Sequence, residues 1–165
     1  MVTIANFETS DYEQVLDLII EFQDYIVETD TQKHCKLFDS RDDAKKYLDQ
    51  MLKDILEREG VIYLAKQDSE VIGLIQGIIN RNKDDALYAL THNPGAHGWI
   101  GELYIKPSHR GTGISRRLVD KLAAYFKTNG CISIRLMVMA DNKQARQAYD
   151  HLNFIERDLE LSKDL

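Results

Sequence analysis

One segment near the middle of the chain constrains the fold most, because it reads as a strand, a glycine-containing loop and a helix in direct succession. Residues 99–106 form an apolar, strand-like run that ends at Pro107. After the loop, apolar residues recur at helical spacing, at Ile114, Leu118, Leu122 and Phe126. A strand joined so closely to an amphipathic helix predicts a mixed α/β fold.

The loop itself is suited to binding an anion. Gly111 and Gly113 allow a ligand to approach the backbone closely, and the following helix begins with unpaired N–H groups and a favourable dipole. Arg110 adds a charge with donors suited to phosphate oxygens. Taken alone, the two glycines are better explained by an ordinary tight turn. The loop lacks GxxxxGK(S/T) and GxGxxG patterns, so triphosphate and dinucleotide sites are not expected.

The part of the chain before this segment predicts two helices. Ser10 and Glu13 have capping-box spacing, so a strand over residues 2–7 should be followed by a helix there. Ser40 has the character of a cap for a second helix, which ends near Gly60. Both helices carry apolar stripes: Val15, Leu18, Ile19, Phe22 and Ile26 in the first, and Ala44, Tyr47, Leu48, Met51, Leu52 and Ile55 in the second.

A hairpin should follow the second helix. Two β-rich runs, residues 61–66 and 71–79, are separated by the turn-like residues 67–70. Within the second run, Gly73 and Gly77 indicate bulges or close approaches.

The remaining elements complete one domain. Residues 81–97 predict a loop, and Asn129 with Gly130 should end the helix that begins at Ile114. Residues 132–139 alternate strictly and predict a strand. A short helix over 142–152 and a final strand over 154–161 then give the order β-α-α-β-β-β-α-β-α-β. We predict a single domain over residues 1–165.

Composition excludes several classes of protein. The chain has 165 residues, 44% of them apolar, but no apolar run approaches the roughly 20 residues that span a bilayer. Residues 1–7 do not resemble a signal peptide, and Cys35 and Cys131 have no CxxC spacing, so we expect a cytoplasmic protein without a disulfide framework. The net charge of -6 disfavours nucleic acid and mildly favours cationic partners. The five histidines lack HExxH spacing, so no metal site is expected.

Two motifs resemble the GNAT superfamily of N-acetyltransferases. The loop from Arg110 to Ser115 matches R/Q-x-x-G-x-G/A, with serine in place of the final glycine or alanine. Downstream, N-x-x-A-x-x-x-Y followed by phenylalanine is matched by Asn142, Ala145, Tyr149 and Phe154, although Asn153 replaces the usual glycine before that phenylalanine. The resemblance implies a three-layer α/β fold with a twisted, mixed, mostly antiparallel sheet flanked by helices. The C-terminus is short for the family, so a strand is missing or supplied by a partner subunit.

The resemblance also implies a cofactor and a reaction. Acetyl-CoA is expected as cosubstrate, and its acetyl group passes to a primary amine by direct attack in a ternary complex. The expected coenzyme contacts are Leu103, Tyr104, Ile105, Arg110, Gly111, Thr112, Gly113, Ile114, Ser115, Asn142, Ala145 and Tyr149. In the family's mechanism Tyr149 is the general acid, and Glu102 is a candidate base. Each role has a structural alternative. Tyr149 could only pack its helix on the sheet, Glu102 could form a structural ion pair, and Asn142 could only cap its helix.

The amine is less well defined. Family members place the acceptor near the first two helices, where carboxylates are frequent here: Glu21, Asp24, Glu28, Asp30, Asp39, Asp42 and Asp43. A polyamine, an aminoglycoside-like compound or a lysine-bearing peptide would suit this region, and so would plain solvation of each carboxylate. A noncatalytic acyl-CoA-binding sensor and a hydrolase using Glu102 are the rival functions. A homodimer is expected by analogy only.

Overall fold

A computed structural model describes residues 1–81, 95–161 and 163. In chain order the elements are β1 (Val2–Asn6), a 3₁₀ turn (Thr9–Asp11), α1 (Tyr12–Thr29), α2 (Arg41–Glu57), β2 (Val61–Gln67), β3 (Glu70–Asn80), β4 (Ala96–Ile105), a second 3₁₀ turn (Pro107–His109), α3 (Ile114–Thr128), β5 (Cys131–Arg135) and α4 (Lys143–His151). None of the helices in the described ranges is long and apolar enough to cross a membrane. Most of the predicted loop over 81–97 lies outside the described residues, and its last two residues already belong to β4.

The five strands form one sheet in the order β1-β2-β3-β4-β5. The first three pairings are antiparallel, and β5 pairs with β4 in parallel. The predicted hairpin between β2 and β3 is confirmed, and its turn residues Asp68 and Ser69 both have positive φ, as tight hairpin turns require. The mixed, mostly antiparallel sheet expected from sequence is therefore confirmed.

The helices cover both faces of this sheet. Alternate residues of β2 separate the layers, since Leu64 packs with α1 and α2 whereas Ala65 packs with α3. The predicted α3 stripe is buried in full, with Phe126 only 1% exposed. A Cβ added to Gly98 would lie 2.2 Å from the Phe126 ring, and one on Gly77 would lie 2.6 Å from it. Glycine at both positions lets α3 approach the sheet closely.

Three sequence predictions about elements or their ends are wrong. The capping box does not form at Ser10. Instead Asp11 accepts a hydrogen bond from the backbone N–H of Glu8 at 3.0 Å and pairs with Lys66 Nζ at 2.6 Å. A 3₁₀ turn therefore precedes α1, which begins at Tyr12.

The other two corrections concern strands. β5 ends at Arg135 rather than at residue 139, because its ladder with β4 ends at the pair Trp99–Arg135. The final strand over 154–161 does not form, and those residues have no regular structure. Apart from Phe154, their apolar side chains are exposed, for example 89% for Ile155 and 84% for Leu161. A strand does not form where no neighbouring strand supplies hydrogen bonds.

Candidate functional site

The site is built where β4 and β5 separate. Because Lys106 N donates to Ile72 O at 2.9 Å, alternate residues of β4 direct their backbone groups towards β3 and away from it. Leu103 and Ile105 therefore direct their N–H and C=O into the gap left by β5. Tyr104 directs its backbone at β3, and its ring is buried. Of the three β4 residues predicted to offer backbone contacts, two face the gap.

A β-bulge just before these residues sets the direction of Glu102. Gln76 pairs with Glu102 and Gly77 pairs with Ile100, which leaves Gly101 as the extra residue. A Cβ on Gly101 would lie 2.1 Å from Gln76 Oε1, so a side chain there would force the Gln76 amide to move. The Glu102 carboxylate accepts a hydrogen bond from the Tyr47 hydroxyl of α2.

The loop after β4 leads to the backbone N–H groups at the N-terminus of α3. Gly111 and Gly113 have φ of 74° and 81°, in the left-handed region, and a Cβ on either would meet open space. In the part of the chain that the structure describes, the N–H groups of Gly113, Ile114 and Ser115 have no acceptor. Together with the β4 edge they form what we call the backbone strip: Leu103, Ile105, Gly113, Ile114 and Ser115.

Arg110 holds the end of this strip in place. Its Nε donates to Ile105 O at 3.0 Å and its Nη1 to Gln144 Oε1 at 3.2 Å. The guanidinium carbon also lies 4.7 Å from the ring centroid of Tyr25 and 5.5 Å from that of Tyr104. Much of the donor capacity that the sequence suggested for phosphate is thus used to tie β4 to α1 and α4. Thr112 is tied similarly, since its hydroxyl donates to His109 O at 2.7 Å.

The second motif lies on and directly after α4. Asn142 is only 5% exposed and caps α4, its Oδ1 accepting from Ala145 N at 3.0 Å and from the Tyr25 hydroxyl at 3.0 Å. Asn153 has φ of 63°, the left-handed conformation expected there. It turns the chain so that Phe154 packs on the Tyr149 ring, with centroids 5.6 Å apart.

Glu102 and Tyr149 interact electrostatically. Burial raises the pKa of Glu102 to about 7, and the Tyr47 hydrogen bond opposes this rise. Burial raises the pKa of Tyr149 to about 12, with the nearby Glu102 charge and Tyr25 adding to the rise. At neutral pH this geometry offers a carboxylate that can take up a proton and a phenol that can donate one.

Beside Glu102 lies a cavity of about 200 Å³ between α2 and the sheet, which we call the α2 cavity. Its walls include Tyr47, Met51, Asp54, Gln76, Trp99 and Glu102. Helical periodicity had placed Tyr47 in an apolar stripe, yet it is 43% exposed. No local sequence signal identifies Tyr47, Asp54, Gln76 or Trp99 as members of one cavity.

Three of the seven carboxylates predicted near the acceptor bind neighbours close in sequence. Asp30 accepts from Cys35 N at 2.6 Å, Asp39 pairs with Lys36 at 2.9 Å, and Asp43 pairs with Lys46 at 2.8 Å. None of the seven lines the α2 cavity. In the described ranges there is also no cluster of three or more His, Cys, Asp or Glu side chains arranged for a metal ion.

Comparison with known proteins agrees with this architecture. The model of the acetyltransferase (GNAT) family matches residues 21–154. Thialysine N-epsilon-acetyltransferase from Bos taurus is 34% identical over 58 residues, 35% of this chain and 34% of that protein. The chain thus spans about a third of the length of that relative. Aminoglycoside N(6')-acetyltransferase type 1 from Stenotrophomonas maltophilia is 24% identical over 115 residues, 69% of this chain and 72% of that protein.

A solved structure gives the same result for the fold. AAC(6')-Iy, in complex with the bisubstrate analogue CoA-S-monomethyl-acetylneamine, has a TM-score of 0.70 at 14% identity and covers 100% of this chain and 99% of its own. The family model includes both the loop and α4, the two regions that carried the resemblance in sequence. The chain therefore belongs to the acetyltransferase (GNAT) family.

Proposed function

We propose that the protein is an N-acetyltransferase that transfers the acetyl group of acetyl-CoA to a primary amine. The observation that carries this proposal is the backbone strip, an unpaired edge of β4 that continues into free amides at the N-terminus of α3. An extended chain of amides ending in a pyrophosphate, as in coenzyme A, would pair with the edge and lie against these N–H groups. AAC(6')-Iy, which shares the fold, was solved with a coenzyme A conjugate.

The residues of the strip suit this ligand. Leu103 would pair with the amides of the coenzyme through both backbone groups. At Ile105 the N–H serves this purpose, because the carbonyl already accepts from Arg110. Gly113, Ile114 and Ser115 would donate to the pyrophosphate, and the empty space beside Gly111 and Gly113 leaves room for it. We infer that Asn142 and Ala145 help chiefly by fixing α4, since each is engaged in its cap.

The two pKa values support acid and base roles for Tyr149 and Glu102. The bound coenzyme supplies an acetyl thioester. Glu102, with a pKa near 7, takes a proton from the incoming ammonium, directly or through water. The neutral amine nitrogen then bonds to the acetyl carbon as the carbon–sulfur bond breaks. Tyr149, still protonated at neutral pH, gives its proton to the departing sulfur. The nitrogen loses its second proton to the resulting phenolate or to water, which leaves a neutral amide and free thiol.

The test is release of free thiol from acetyl-CoA with a panel of amines, combined with mass detection of the acetylated product. We expect thiol release that requires both the protein and an amine, in equal amount to acetylated product. Thiol release without an amine would indicate a hydrolase. Stabilisation by acetyl-CoA without release under any condition would indicate a noncatalytic sensor.

A further inference from the structure

We propose that the α2 cavity is the acceptor site and that it takes a small aliphatic diamine, with the reacting nitrogen at Glu102 and the second ammonium at Asp54. This inference rests on the proposed function for its reaction, but not for its binding. It names a substrate class through residues that carry no family motif: Asp54, Gln76 and Trp99.

The charge of the cavity favours a cation at each end. Its two carboxylates are those of Asp54 and Glu102, and no Lys, Arg or His lines it. Asp54 Oδ1 accepts from Gln50 Nε2 at 2.7 Å and Glu102 accepts from Tyr47. Neither carboxylate has a cationic partner within the ranges that the structure describes. Two carboxylates in a confined, partly apolar space are stabilised by bound ammonium groups.

Gln76 supplies an independent indication of a ligand. Its side chain lines the cavity and is only 4% exposed, yet its amide makes no hydrogen bond to any described residue. The amide atoms are accessible from the cavity, so a bound ligand could supply the partners that amides normally have. Gln76 pairs with Glu102 across the strands, so its amide lies where it could accept from the N–H of an amine bound at Glu102.

The spacing and the walls favour a short apolar linker between two amines. Tyr47, which contacts Glu102, and Asp54 are both on α2, two turns and about 10 Å apart along the axis. Met51, Ile78 and the Trp99 ring line the space between them, which suits methylene groups and a cation–π contact. At about 200 Å³ the cavity is smaller than the roughly 300–1,000 Å³ clefts that enclose drug-sized ligands.

The experiment compares a five-carbon α,ω-diamine with the monoamine of equal chain length in the wild type and Asp54→Asn. We expect the wild type to prefer the diamine about tenfold or more in kcat/KM, the size of one charge-assisted contact. Asp54→Asn should remove that preference by raising KM for the diamine, and should affect the monoamine much less. Equal use of both amines by the wild type, or an equal loss for both in the variant, would overturn the proposal.

Glu57→Gln is the matched control, because Glu57 carries the same charge on the same helix but lies outside the cavity, 3.8 Å from Lys53. It should retain the preference. If acetyl-CoA binds but no amine reacts, the proposed transfer fails while the diamine site is still tested by calorimetry. Diamine binding that is lost in Asp54→Asn supports the site, and absence of diamine binding to the wild type overturns it.

Discussion

The backbone strip and the α2 cavity lie on two sides of the same strand, and they are built in opposite ways. The strip uses main-chain groups of β4 and of the first turn of α3, so its side chains can be apolar. The cavity uses side chains from α2, β3 and β4, so its identity depends on each of them. A ligand common to a family can be held by backbone, whereas a ligand particular to one member requires side chains.

The largest effect is expected at Tyr149, which stands between the two regions. Tyr149→Phe should lower kcat at least about 100-fold, because it removes the proton donor for the leaving sulfur, while acetyl-CoA affinity stays within about twofold. Steady-state kinetics and calorimetry would measure both. The control is Tyr12→Phe. It removes a hydroxyl that lies outside the site and donates to Asp49 Oδ1 at 2.8 Å. An unchanged kcat in Tyr149→Phe would contradict the assigned acid.

A pair of glycines tests the strip separately. Gly113 and Gly130 flank α3, have φ of 81° and 77°, and leave space for a Cβ. Replacing either by alanine should lower the free energy of unfolding by about 1 kcal/mol through backbone strain. Only Gly113→Ala should also weaken acetyl-CoA binding, by about tenfold, because it changes the first amides of the helix. Equal coenzyme affinities in the two variants would remove the strip from the binding site.

The smallest effect is expected for the hydrogen bond between Tyr47 and the proposed base Glu102. Glu102 is active as a carboxylate, so kcat/KM should fall as pH decreases through about 7. Because the Tyr47 hydrogen bond lowers the pKa of Glu102, Tyr47→Phe should move this midpoint upward. Activity near pH 6.5 should fall severalfold, with little change at pH 9. A midpoint that stays in place or moves downward would show that Tyr47 does not act on the base.

The comparison also explains what the sequence could predict. The loop and the α4 cap depend on contacts within a few residues, so spacing was sufficient to predict them. Asn142 is three residues from the backbone N–H that it caps. The left-handed conformation of Asn153 is a property of a single residue. The apolar stripe of α3 was equally local and proved buried in full.

What failed depends on partners far away in the chain. Asp11 ends a turn where the helix cap was predicted, and it pairs with Lys66. Lys66 is 55 residues away in sequence but its Nζ is 2.6 Å from Asp11 Oδ1. Tyr47 and Glu102 are also 55 residues apart, and helical spacing alone treats Tyr47 as an apolar position. A strand was also predicted over 154–161, but strand pairing requires a neighbouring strand, which local sequence does not reveal.

Thermal unfolding with saturating acetyl-CoA, and with ATP and NAD as controls, tests the central claim most directly. A ligand at one hundred times its dissociation constant stabilises by about 2.7 kcal/mol. For a chain of this length the midpoint should therefore rise by roughly 5 to 10 °C with acetyl-CoA alone. No shift, or an equal shift with ATP or NAD, would contradict an acyl-CoA site at the backbone strip.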